Sequence, residues 1–143
     1  MAKVVLPRVH VMVLCDEIEP SSVEEDVFDL RGVRTHIVAP SFPYTHPQLC
    51  VYLQMTGHEG VASGRAAVTF NEAEEALAKT EDYPISFQGP LAFMHVAWNI
   101  YDCVFPEPGV YYVQVFFDDK LIHERALFLY QTEASNSNGQ ATP

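Results

Sequence analysis

The clearest hydrophobic pattern lies near the C-terminus, where Val110-Tyr111-Tyr112-Val113-Gln114-Val115-Phe116-Phe117 follows the break Pro106-Glu107-Pro108-Gly109. β-Branched and aromatic residues suit a pleated, half-buried surface. Prolines and a glycine end whatever precedes them. Asp118-Asp119-Lys120 then turns the chain into a second apolar run, Leu121 to Tyr130. The pattern predicts a β-hairpin. Alternation puts Tyr111, Val113, Val115 and Phe117 on one face of its first strand and Tyr112, Gln114 and Phe116 on the other.

The rest of the chain reads as further strands. Val9 to Cys15 is a short apolar run bounded by Pro7 and Asp16-Glu17, the pattern of a strand covered on both faces. Residues 16 to 29, with seven acidic groups around Pro20-Ser21-Ser22, read as an exposed loop. Ser22 and Glu25 offer a capping box for one helical turn there. Val27 to Leu30 and Val33 to Val38 form one interrupted strand with Gly32 as its bulge, and Pro40, Pro43 and Pro47 mark an irregular crossing. Leu49, Val51, Leu53 and Met55 alternate along the next strand, and Gly57, Gly60 and Gly64 supply the turn after it. Arg65 to Phe70 is a strand. Asn71 to Lys79 has helical propensity and a cap in Asn71 with Glu74, but a hairpin turning at Glu72 to Glu75 fits its position between strands equally. Ile85 to Gln88 is a short strand. Met94, Val96, Trp98 and Ile100 then alternate with His95, Ala97, Asn99 and Tyr101, a period-two signal.

These elements predict an all-β protein, an antiparallel two-sheet β-sandwich of immunoglobulin-like type with roughly seven to eight strands. Residues 1–130 would form the single domain and residues 131–143 a flexible polar tail, too poor in apolar groups to order itself. A chain of 143 residues, 48% of them apolar, fits one domain with a real core. Trp98, Tyr111 and Phe117 are expected in it.

Charge narrows the partners. Eight Lys and Arg against 19 Asp and Glu give a formal net charge of −11, which repels phosphate backbones and anionic membrane. No run approaches the ~18 apolar residues of a membrane span. Val4-Val5-Leu6 is cut off by Pro7 and Arg8, far short of a secretory signal. The three cysteines, Cys15, Cys50 and Cys103, lack CxxC spacing and read as reduced thiols in a cytoplasmic protein. A Cys50–Cys103 bridge of immunoglobulin type is not supported, because Trp98 lies just before the second cysteine rather than after the first.

Candidate chemistry is sparse. The six histidines never occur as HxH, HxxxH or HExxH, so no metal or other cofactor is expected. Cys103 reads as a small buried hydrophobe rather than a nucleophile paired with a histidine across the sheet. Asp16, Glu17 and Glu19 lack the spaced ladder of a calcium loop and read as solvated charge. No GxSxG elbow or phosphate-binding loop is present.

Val11 to Asp16, the acidic loop leading to Gly32, Phe42-Pro43 before the Leu49 to Met55 strand, and the Phe105 to Asp119 hairpin together resemble an uncharacterised bacterial β-sandwich family, a domain of unknown function. The resemblance covers roughly residues 8 to 130 and implies a sandwich with no assigned activity. The Pro-Gly-x-Tyr, strand, Asp-rich turn and strand signature also recurs in immunoglobulin-like modules. The residues themselves favour a non-enzymatic interaction or assembly module, binding a protein partner or itself through Tyr112, Gln114 and Phe116. A small-ligand or carbohydrate binder using the same aromatic face is the alternative.

Overall fold

A computed structural model of the chain describes residues 6–71, 75–89 and 91–132. They form eleven strands and, among the described residues, no helix. No helix is therefore long and apolar enough to cross a membrane. The first sheet is antiparallel, in the order β1 (Arg8–Cys15), β5 (Tyr44–Thr56) and β9 (Met94–Phe105). The second, six-stranded sheet runs β4 (His36–Ala39), β11 (Lys120–Gln131), β10 (Gly109–Phe117), β6 (His58–Phe70) and β7 (Ala78–Lys79), with β8 (Tyr83–Gly89) also paired to β6. A small ribbon of β2 (Glu17–Pro20) and β3 (Phe28–Arg31) completes the chain.

The core lies between the two larger sheets. Alternation sends Leu49, Val51, Leu53 and Met55 of β5 inward together with Trp98 and Ile100 of β9. Facing them are Val68 of β6, Tyr111, Val113, Val115 and Phe117 of β10, and Leu127 and Leu129 of β11. Two ring contacts span the gap: Phe105 meets Tyr111 edge-on at 4.9 Å, and Trp98 meets Phe117 at 6.2 Å. The phenol of Tyr111 donates to the carbonyl of Glu107 at 2.5 Å and accepts the Glu107 N–H at 3.2 Å. That bond ties the Pro106–Gly109 crossover to the strand it feeds.

Glycines act where the backbone turns or packs closely. β5 and β6 are consecutive yet belong to different sheets, and the chain turns that corner at Gly57 with φ +91°, a conformation open to glycine. Gly60 and Gly64, expected in this turn, lie inside β6 instead. A Cβ on Gly64 would sit 3.0 Å from the Phe117 ring and 3.1 Å from Ile85, so this strand position is a close-packing site. At the β10–β11 hairpin, Asp118 and Asp119 have φ of 51° and 67°, the paired positive values of a type I′ turn. Asp118 stabilises the turn by accepting the Ser63 N–H at 3.0 Å and donating its own N–H to the Ser63 carbonyl at 2.8 Å.

Four expectations need correction. Eleven strands replace the expected seven to eight, because β2, β3, β4 and β7 have four residues or fewer and are held by backbone pairing that apolar patterning does not reveal. The acidic segment is a loop only over residues 21–27, between two short strands. Glu17–Pro20 pairs with Phe28–Arg31, while the Ser21 hydroxyl, not Ser22, accepts the N–H groups of Val23 and Glu24 at 3.1 Å each. Val27 to Leu30 and Val33 to Val38 do not share a strand either, since β3 joins the ribbon and β4 the six-stranded sheet. The sheets are also not wholly antiparallel, for β4 runs parallel to β11, having crossed from the ribbon to the far edge. Residues 72–74 lie outside the described residues, so the choice between helix and hairpin there is settled only downstream, where Ala78–Lys79 is strand β7. Residues 133–143, most of the expected tail, lie outside them too.

Removing the Tyr111 hydroxyl isolates the crossover bond, because the ring and its packing stay. Tyr111→Phe is expected to lower unfolding stability by about 1–2 kcal/mol, the net value of the lost hydrogen bonds. Urea denaturation measures it. A loss under ~0.3 kcal/mol would mean that the bond contributes nothing to the fold.

Candidate functional site

β10 sits inside the six-stranded sheet, between β6 and β11, so both of its faces are built by neighbours. Tyr111, Val113, Val115 and Phe117 are fully buried in the core, as the alternation predicts. Tyr112, Gln114 and Phe116 stand together on the outward face, half-buried. Beside them are Thr69, Ala67 and Arg65 on β6 and Ala126, Glu124 and Leu121 on β11. The Gln114 amide donates to Glu124 at 3.1 Å. The guanidinium of Arg65 lies 4.7 Å over the ring of Phe116 and donates to Asp119 at 2.8 Å and Asp82 at 3.1 Å. Phe116 thus already carries a cation on one face.

The same outward face continues across β11 to β4, where it is more open. Phe128 pairs with His36 and Tyr130 with Val38. The Phe128 and Tyr130 rings stack at 6.4 Å, 12° apart, with His36 at 6.1 Å from Tyr130. Val38, Phe128 and Tyr130 are 48%, 38% and 52% exposed. Sequence reasoning stopped at Tyr112, Gln114 and Phe116, but Leu127-Phe128-Leu129-Tyr130 carries the same signal, apolar groups on both faces of one strand. Charge on the face is sparse: Arg65 is matched by two carboxylates and Glu124 is bound by Gln114.

A second constellation closes one end of the core. Arg34 grips Asp16 with both branches of its guanidinium, Nε at 2.6 Å and a terminal nitrogen at 2.8 Å. His46 Nε2 donates to the same carboxylate at 3.3 Å, and Tyr44 donates its hydroxyl to Nδ1 at 3.0 Å. A Cβ on Gly32 would lie 2.4 Å from that carboxylate, so the bare backbone at Gly32 makes room for the ion pair. The Arg34 guanidinium, with help from His46, holds the Asp16 carboxyl below the usual range. Burial pushes His46 below the usual imidazole value, even though Asp16 pulls the other way. Glu17 and Glu19 both face Arg31. Among the described residues no three His, Cys, Asp or Glu side chains gather as metal ligands.

The register also puts Cys103 opposite His46 across β5 and β9, which gives the composition of a Cys–His–Asp site. The geometry gives it no catalytic thiolate. Both ring nitrogens of His46 are engaged, and burial raises the Cys103 thiol to about 11, so it stays protonated at neutral pH. Cys15 is raised to about 11 by burial and by the neighbouring Cys50, and burial raises Cys50 as well. Cys50 donates to Asn99 Oδ1 at 2.8 Å. All three thiols are free and buried, beneath the β2–β3 ribbon for Cys15 and Cys50 and within the core for Cys103.

The chain belongs to a family of unknown function (DUF6941), whose model matches residues 10–129. No curated protein matches the sequence. Among solved structures, an alkylpurine DNA glycosylase from Pseudomonas fluorescens, bound to DNA containing an abasic site analog, is 7% identical at a TM-score of 0.49, over 87% of this chain and 30% of that one. The chain thus spans under a third of that protein's length. An immunoglobulin-like protein from Pseudomonas aeruginosa is 13% identical at a TM-score of 0.37, over 87% of this chain and 96% of that one.

The buried His46 makes stability depend on pH with a definite sign. The unfolded imidazole takes up its proton near pH ~6.5, before the folded one, so this contribution is complete above that value and is lost as pH falls toward the lower folded value. Asp16 acts later: its contribution is lost only as pH falls through its own depressed folded value. Denaturant unfolding at pH 7 and pH 5 should show a loss of up to ~1.4 kcal/mol per pH unit from one proton. In His46→Gln, which has no proton to gain, that slope should flatten. An unchanged slope would assign the pH dependence to other groups.

Proposed function

We propose that this member of the DUF6941 family is a non-enzymatic assembly module that docks another protein chain through the outward face of its six-stranded sheet, the occupant being a second copy of itself. The observation that carries this reading is the exposed band of Val38, Phe128 and Tyr130, continuous with His36, Tyr112 and Phe116. Apolar patches of this kind on a sheet face mark interaction surfaces. The aromatic groups supply contact area at small entropic cost, with polar tips for the rim. The charge distribution favours a like partner. On a chain of net charge −11, the part of this face built by Val38, Phe128 and Tyr130 is uncharged, so two copies meet there with little of the repulsion their other surfaces exert.

Several further features fit the same picture. The engaged nitrogens of His46 and the protonated Cys103 support a non-enzymatic role. The bond from Tyr111 to the backbone at Glu107 resembles the tyrosine corner of immunoglobulin-like sandwiches, which supports that finer description of the fold. Three reduced, buried thiols favour the cytoplasm, and the acidic charge disfavours nucleic acid and anionic membrane. A ligand stacked on Tyr112 and Phe116 fits less well, because Arg65 already covers Phe116.

Light scattering tests the assembly. The wild-type chain should show the mass of a dimer, and Tyr130→Glu or Phe116→Glu should shift it to that of one chain with an unchanged circular dichroism spectrum. Loss of one buried aromatic, roughly 1.5–3 kcal/mol, weakens association more than tenfold. A wild-type mass of a single chain across the micromolar range would overturn self-association and leave a different protein as the occupant. Unfolding in Phe116→Glu with a monomer in Tyr130→Glu would place Phe116 in the fold and Tyr130 in the interface.

A further inference from the structure

β9 is an edge strand, paired only with β5, and its free side borders the β7–β8 segment of the other sheet. The two sheets part there around a cleft of about 430 Å³, lined by Thr80, Tyr83, Ala97, Trp98, Asn99 and Tyr101. Its volume lies within the ~300–1,000 Å³ of small-molecule sites. Trp98 forms the floor from the core side, 5% exposed and packed on Phe117. Tyr83 and Tyr101 form the walls, 52% and 61% exposed.

The cleft holds one unpaired donor. The Trp98 indole N–H has no hydrogen-bond partner among the described residues, yet no fully buried side-chain polar atom is left unpaired. Its remaining exposure is therefore onto the cleft that it lines. A buried tryptophan normally finds a partner for this group. Asn99 accepts the Cys50 thiol on Oδ1, which draws its side chain to the outer face of the small sheet, opposite Trp98, so the indole is the donor that β9 brings to the cleft. Thr80 is held by the Ala66 N–H at 3.0 Å and by its own donation to the Glu81 carbonyl at 3.2 Å, so the wall opposite β9 is rigid. The neighbouring depression, sharing Thr80, contains Asp82 and Asp119, which bind Arg65, and Glu81, and these carboxylates oppose an added anion.

We propose that this cleft binds a neutral saccharide. A sugar ring presents a C–H face to the tyrosines and a hydroxyl oxygen to the Trp98 donor, which matches the aromatic and the polar part of the lining. An extended peptide added along β9 fits worse. Asp102, at φ 53°, and Pro47 interrupt the β5–β9 register just past Tyr101, and such irregularities keep an edge strand from accepting a new partner.

The test uses the full chain and four neutral trisaccharides as probes, namely maltotriose, cellotriose, mannotriose and chitotriose, with isothermal titration calorimetry as the readout. At least one should bind, and Tyr101→Ala and Tyr83→Ala should each weaken it at least tenfold while leaving the circular dichroism spectrum and melting temperature unchanged. Tyr130→Glu should leave sugar binding intact, which separates this site from the assembly face. Absence of binding by all four probes would overturn the proposal. Binding that survives both tyrosine substitutions, or that is lost in Tyr112→Ala instead, would overturn it as well.

Discussion

The interlock of Phe105 and Trp98 with Tyr111 and Phe117 is the contact on which the rest of the molecule depends. Two sheets that bury one face each must agree on a spacing, and large flat side chains set it. The spacing then dictates details elsewhere. Gly64 must lack a Cβ because the Phe117 ring lies against it, and the crossover before β10 must stay tight because Tyr111 ties it to Glu107. Aromatic pairs of this geometry add to their area burial, and one of them, Phe105 with Tyr111, flanks the crossover from β9 to β10 where the chain changes sheets.

Polar groups close what the aromatic core leaves open. The outer face of the three-stranded sheet would expose Cys15, Cys50 and Tyr52, but the short β2–β3 ribbon covers it, with Phe28 packed 5.5 Å from the Tyr52 ring. At one end of the core, Arg34, Asp16, His46 and Tyr44 form a chain in which each donor meets an acceptor. A half-satisfied version of this chain would be costly at that burial. Its completeness makes it a plug, with both ring nitrogens of His46 engaged.

Two surfaces remain after the core and the plug are accounted for. One is broad, flat and aromatic, the outward face of the six-stranded sheet. The other is a compact cleft where β9 ends the smaller sheet and an indole N–H is left facing outward. They differ in shape and chemistry, and they lie on different elements, so substitutions in one need not disturb the other.

The β character, the C-terminal hairpin and the sides taken by β5, β9 and β10 were determined by sequence alone, because a two-residue period states which side chains go inward. Tyr112, Gln114 and Phe116 were legible as a shared outward face for the same reason. The period says nothing about which strand lies next to which, so the parallel pairing of β4 with β11 and the covering ribbon came only from the tertiary structure. It is equally silent on contacts between distant residues. Asp16 meets Arg34 across 18 positions and His46 across 30, and the cleft draws Tyr83 and Tyr101 from different sheets. Strand patterning records burial one strand at a time, whereas sites form between strands, where only the folded packing brings their side chains together.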